Sequence, residues 1–66
     1  MIIRVHRNET SQTFVYGGPN DPYGREVINA YTKGGMYCIM HRRPNEKSVI
    51  TKYPLCTLFR VEEISD

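Results

Sequence analysis

Four side chains in this 66-residue sequence have the chemistry to hold zinc: His6, Cys38, His41 and Cys56. A chelating pair must offer both donors to one ion. Cys38 and His41 stand three residues apart in a stretch rich in strand formers, and at that separation side chains leave a strand on opposite faces. The spacing therefore argues for a packed thiol and a separate imidazole, with no metal and no other cofactor. Nucleophilic catalysis needs a thiol or hydroxyl held by a base and a third group to orient it. No spacing ties a base to Cys56, and Cys38 fits core packing. Gly17-Gly18 and Gly34-Gly35 match neither a phosphate loop nor a dinucleotide fingerprint and read as turn formers. Glu62 and Glu63 alternate across a strand, so they make a poor acid and base couple. A noncatalytic chain is expected.

Charge gives a weaker signal. Nine Lys and Arg against seven Asp and Glu leave a net charge of +2, with His41-Arg42-Arg43 the densest basic point and Glu62, Glu63 and Asp66 at the end of the chain. Three basic residues in a row are more simply a solvated surface than a phosphate-binding patch. Five Tyr and two Phe do interleave with the cations, so a small nucleic-acid-binding β-barrel is the alternative reading, with Tyr37, His41, Arg42, Arg43, Lys47 and Lys52 as its patch.

The length allows one domain, 1–66, with a thin core. Chains of this size often depend on a disulfide, a metal, an oligomer or a partner. The start, MIIRVHRNE, meets charge at Arg4 and lacks the apolar run of a signal peptide. No stretch reaches the roughly 20 apolar residues of a membrane helix. A cytoplasmic protein with free Cys38 and Cys56 is the expectation, with no membrane partner.

The elements that must position these side chains read as strands. Ile2 to Arg7 alternates apolar and polar residues, Asn8 to Ser11 reads as a turn, and Gln12 to Tyr16 is rich in Thr, Val and aromatics. Gly17 to Gly24 concentrates Gly, Pro, Asn and Asp and must be a loop. Arg25 to Thr32 fits one helical turn as well as a strand, but its shortness favours the strand. Gly34-Gly35 then forms a two-residue hairpin loop into Met36 to His41. Pro44 to Lys47 is a second turn, Ser48 to Tyr53 a strand, Pro54 to Thr57 a bend or short 3₁₀ turn, and Leu58 to Ile64 the last strand. The fold class is all-β, a small antiparallel barrel or meander of five or six strands. This layout is similar to SH3-like small barrels, although the acidic and aromatic residues that grip proline-rich ligands do not occur.

Counting out from Gly34-Gly35 pairs Lys33 with Met36, Tyr31 with Cys38, Ala30 with Ile39 and Ile28 with His41. A four-residue Pro44 to Lys47 loop pairs Arg43 with Ser48, His41 with Ile50 and Ile39 with Lys52. One face then collects Val27, Tyr31, Met36, Cys38, Met40, Val49 and Tyr53, a core that Phe14, Leu55, Leu58 and Phe59 can join. The reverse collects Ile28, Ala30, Tyr37, Ile39 and Ile50 beside Thr32, His41 and Lys52. A sheet with one wet face alternates more cleanly than this, so something covers the isoleucines. The first two strands can fold over them. Alternatively Ile28, Tyr37, Ile39 and Ile50, rimmed by His41, Arg42, Arg43 and Lys52, meet a protein partner or a second copy.

The brevity, the lack of catalytic groups and the tail Tyr53-Pro54-Leu55-Cys56-Thr57-Leu58-Phe59-Arg60-Val61-Glu62-Glu63 together resemble the short accessory proteins carried by bacteriophages. That resemblance names no family and assigns no residue a role. It implies a protein-binding module that inhibits or redirects a host protein in the host cytoplasm; a self-associating structural subunit is the third reading.

Overall fold

The computed structural model describes residues 1–9 and 12–65. Six strands, β1 (Ile2–Arg7), β2 (Thr13–Tyr16), β3 (Glu26–Lys33), β4 (Met36–Arg42), β5 (Val49–Pro54) and β6 (Leu58–Ile64), follow the expected order, with a 3₁₀ turn over Leu55–Thr57. Of residues 25 to 32, all but Arg25 lie in β3 and none is helical. Thr10 and Ser11, in the expected first turn, and Asp66 lie outside the described residues.

The strands form two three-stranded antiparallel sheets, β2-β1-β6 and β3-β4-β5. A closed barrel is therefore not formed, although the β3-β4-β5 meander is. Two segments interrupt pairing between the sheets. The Gly17 to Gly24 loop takes positive φ at Gly17, Gly18 and Gly24, and Pro54, with no N–H to donate, leads into the 3₁₀ turn that carries the chain back to β6. Gly17 has no room for a side chain, since a Cβ would stand 2.7 Å from the Met1 carbonyl oxygen.

The core lies between the sheets. Ile3, Val5 and Tyr16 from one meet Val27, Tyr37 and Ile39 from the other, with Phe14, Ala30, Tyr53, Leu58 and Val61 packed around them. Phe14 and Leu58 join it as expected. Leu55 and Phe59 do not, because Leu55 sits in the exposed 3₁₀ turn and Phe59 is the extra residue of a bulge, 73% exposed.

Two departures from the counted register move β5 and the far end of β3 to opposite faces, while β4 turns inward the face that the first two strands are expected to fold over. At the first hairpin Lys33 pairs with Met36, Tyr31 with Cys38 and Ala30 with Ile39, as Gly34 and Gly35 at φ 57° and 75° allow. Beyond them a bulge skips Ile28, so Val27 and not Ile28 faces His41. At the second hairpin His41 pairs with Val49 and Ile39 with Thr51. The loop is one residue longer than counted, running from Arg43 to Lys47 with Asn45 at φ 62°. A one-residue slip transfers every β5 side chain to the other face. The covered face is therefore Val27, Ala30, Tyr37, Ile39, His41, Thr51 and Tyr53, while Tyr31, Met36, Cys38, Met40, Ile50 and Lys52 share the outer one.

Candidate functional site

The eight residues expected to form one surface are divided by this register. Ile39 is 0% exposed, and Tyr37 and His41 are also buried. Ile50, 44% exposed, and Lys52 project from the outer face of β5. Ile28, equally exposed, marks the bulge on β3. Arg42 ends β4 and donates to Glu26 Oε1 at 2.7 Å, and Arg43 lies over the ring of Tyr23 at 4.3 Å. Sequence counting missed Tyr31, Met36 and Met40 as surface residues because it placed their face inward. Their signal was the sulfur-rich, unbranched composition of that face, which suits an adaptable surface better than a rigid core.

The outer face holds an open trough of about 460 Å³ lined by Tyr31, Lys33, Gly34, Met36, Cys38, Ile50 and Lys52. Its floor is Cys38, a free thiol only 1% exposed. Lys33 and Lys52 supply its charge, and among the described residues no carboxylate lines it. Apolar Met36, Cys38 and Ile50 and the cations Lys33 and Lys52 share its lining.

At one end of the molecule, polar groups hold the long loop. The Asp21 carboxylate, fully buried, accepts from Gly17 N at 2.8 Å, Tyr23 N at 2.9 Å and Arg25 Nε at 2.9 Å. Burial alone would raise its pKa, but the Arg25 hydrogen bond and the two amides outweigh burial and lower it. Arg25 also donates to the Val15 carbonyl oxygen at 2.7 Å and lies over the Tyr16 ring at 4.0 Å. Behind it, His41 Nε2 and Thr51 Oγ1 are 2.7 Å apart, and His41 Nδ1 is buried with no partner. Burial first, then the Arg25 cation, lowers the His41 pKa. Tyr16 and Tyr53 hydroxyls meet at 2.5 Å. Tyr37 donates to Glu63, and burial followed by that carboxylate raises the Tyr37 pKa.

A hydroxyl, an imidazole and a carboxylate do line up on the outer face of the other sheet: Thr13 Oγ1 lies 3.0 Å from His6 Nδ1, and His6 Nε2 lies 2.8 Å from Glu62 Oε1. They come from three neighbouring strands and tie β1 to β2 and β6, as cross-strand polar pairs ordinarily do. Cys38 and His41 leave β4 on opposite faces, in keeping with their spacing. Among the described residues no three potential ligands cluster around a metal position, and no helix is long and apolar enough to cross a membrane.

No protein-family model and no curated protein matches the sequence, and no solved structure matches the fold. The functional reading rests on this chain's own surfaces.

Proposed function

We propose that this chain is a noncatalytic protein-binding module that docks through the outer face of β3-β4-β5, against a protein surface with an apolar centre and acidic side chains at its margin. The observation that carries this reading is the open trough over Met36, Cys38 and Ile50, which Lys33 and Lys52 also line and which, among the described residues, no carboxylate lines. Apolar patches with polar rims mark interaction surfaces, and methionines adapt their shape to a partner at low cost. The likeness to short phage accessory proteins extends the reading to a host protein that is inhibited or redirected in the host cytoplasm.

Nucleic acid is the second reading, favoured by one observation: His41, Arg43 and Lys47, with Glu46 and Val49, line a shallow depression of about 260 Å³. Its charge is modest, and Tyr37, which was to stack a base, lies in the core. Affinity capture with the native chain and with Tyr31→Glu/Met36→Glu tests the leading reading. A protein retained by the first and lost by the second supports it; identical recoveries, or bait alone from both, refute it. Retarded DNA or RNA in gel shifts at low salt, insensitive to that double variant, would favour the second reading.

A further inference from the structure

Two sheets leave four edges, and three of them are blunted. β2 has only four residues, and the carbonyl oxygen of Val15 accepts from Arg25. β3 is broken by the bulge at Ile28, and the Ala30 N–H donates to Asn29 Oδ1 at 2.9 Å. β6 carries the bulge at Phe59 and the carboxylates of Glu62 and Glu63. Bulges, short strands, charges and prolines are the usual means of preventing edge pairing, and of these β5 carries Lys52 and the terminal Pro54. β5 pairs with β4 through six consecutive positions without irregularity, and Val49 and Ile50 on it are 53% and 44% exposed.

The direction of each β5 amide follows from two independent facts. Leu55 N donates to the Gly35 carbonyl oxygen at 2.9 Å, in register with the ladder, so the odd-numbered β5 residues Val49, Thr51 and Tyr53 exchange hydrogen bonds with β4. The two-residue Gly34-Gly35 loop closes on a bonded Lys33 and Met36 pair, which commits the even positions of β4 to β3 and its odd ones to β5. Both leave the N–H and C=O of Ile50 and Lys52 pointing outward. Pro54 ends the edge, its carbonyl oxygen accepting from Thr57 Oγ1 at 2.7 Å.

We infer that a second copy of this chain pairs antiparallel with β5 in a register centred on Thr51, joining two three-stranded sheets into one of six strands. That register sets Ile50 of each copy opposite Lys52 of the other, so all four outward groups of each chain are satisfied. It places the Lys52 stem over Ile50, Thr51 against Thr51, and exposed Val49 against Tyr53, pairings of the kind that stabilise sheets. Moving the centre to Lys52 opposes two ammonium groups. The two-fold axis continues both outer faces side by side, so the dimer doubles the docking surface without covering it.

Sedimentation of the full chain up to about 1 mM tests this and should show a monomer and dimer in equilibrium. Lys52→Pro removes an outward N–H without touching the ladder to β4, and should weaken the dimer at least about tenfold, whereas Lys52→Ala keeps the amide and should stay within about threefold. Amide exchange of the native chain reads the same groups without any variant. Exchange at Ile50 and Lys52 should slow as concentration rises, while Thr51 is protected throughout. A chain that stays at 7.7 kDa at every concentration, a Lys52→Pro variant that dimerises like the native chain, or new protection at Val61 and Glu63 in place of Ile50 and Lys52 overturns the proposal. Tyr31→Glu/Met36→Glu should dimerise normally, so loss of docking and loss of dimer are separable.

Discussion

The two faces of the central strand β4 are made of similarly apolar residues and live in opposite environments. Tyr37 and Ile39 look inward and are closed off by Ile3 and Val5 of the other sheet. Met36, Cys38 and Met40 look outward on the face they share with Tyr31, Lys33, Ile50 and Lys52. The inward residues are an aromatic and a β-branched side chain, with few rotamers, while the outward ones are long or soft. Hydrophobicity alone therefore does not say which face is core. Shape and stiffness do, because a small core must pack tightly and a docking face must adapt.

The contrast is broken most forcefully at Ile39. Ile39→Ala removes a fully buried side chain from the middle of a core of six buried residues, and should cost about 3 kcal/mol. For a chain this short that is most of the stability, so denaturant titration should show a variant largely unfolded at 25 °C. A loss below about 1 kcal/mol, the range of an ordinary surface change, would mean the inner face is not the one that folds the protein.

Asp21 comes next. Asp21→Ala strips Arg25 of its carboxylate and frees the amides of Gly17 and Tyr23. A cost of about 3 kcal/mol is expected, near the low end for a broken buried pair because Arg25 keeps the Val15 carbonyl oxygen and the Tyr16 ring. The sign of the acid dependence follows from the lowered pKa. The unfolded chain takes up the proton first, so this contribution is complete above the ordinary value of 3.8 and is lost as pH falls through the lower folded value. Melting temperature measured from pH 5 downward should fall more steeply for the native chain than for Asp21→Ala.

The difficulty of the faces also explains how much could be read in advance. Strand order and the Gly34-Gly35 hairpin were legible, because alternation and paired glycines are local signals. The register beyond them was not. Asn45 adopts a left-handed φ without being glycine, which hides a five-residue loop inside what looks like a four-residue turn. Ile28 is as apolar as Val27, so nothing local marks it as the bulged residue. Each error is a single residue, and in a strand that is enough to exchange inside for outside. Which face of β4 turns inward is a separate matter that no register decides: Tyr37, Ile39 and His41 lie beneath β1 and β2, the strands expected to fold over them, and Met36, Cys38 and Met40 are on the outer face and not in the core. The Asp21 hub was out of reach for a different reason: its partners are two backbone amides and one side chain brought together only by the folded loop.

A smaller effect separates the two sides by protonation. Burial and the neighbouring Arg25 and Arg43 cations disfavour imidazolium at His41, on the inner face. The folded pKa lies below the ordinary 6.5, so the unfolded state binds the proton first as pH falls. The associated stability is fully present above about pH 6.5 and declines below it, ending at the folded value. Urea midpoints between pH 7.5 and 5 should drift down for the native chain and flatten for His41→Gln. An unchanged slope in the variant would show that His41 is not held neutral.

The smallest expected effect is at Ile50, and it sharpens the comparison most. Ile50 is the same residue type as Ile39, in the neighbouring strand, but its side chain is 44% exposed on the outer face. Ile50→Ala should shift stability by no more than about 0.5 kcal/mol in denaturant titration, as substitutions at open surface positions do. Affinity for a partner captured through the Met36 face should nonetheless drop several-fold, because burying that side chain in an interface is worth roughly 1 kcal/mol or more. The two measurements together define a docking residue: nearly silent in the isolated chain and costly in the complex. If Ile50→Ala instead destabilises the chain as much as Ile39→Ala does, Ile50 belongs to a packed core and the outer face is not free to dock a partner.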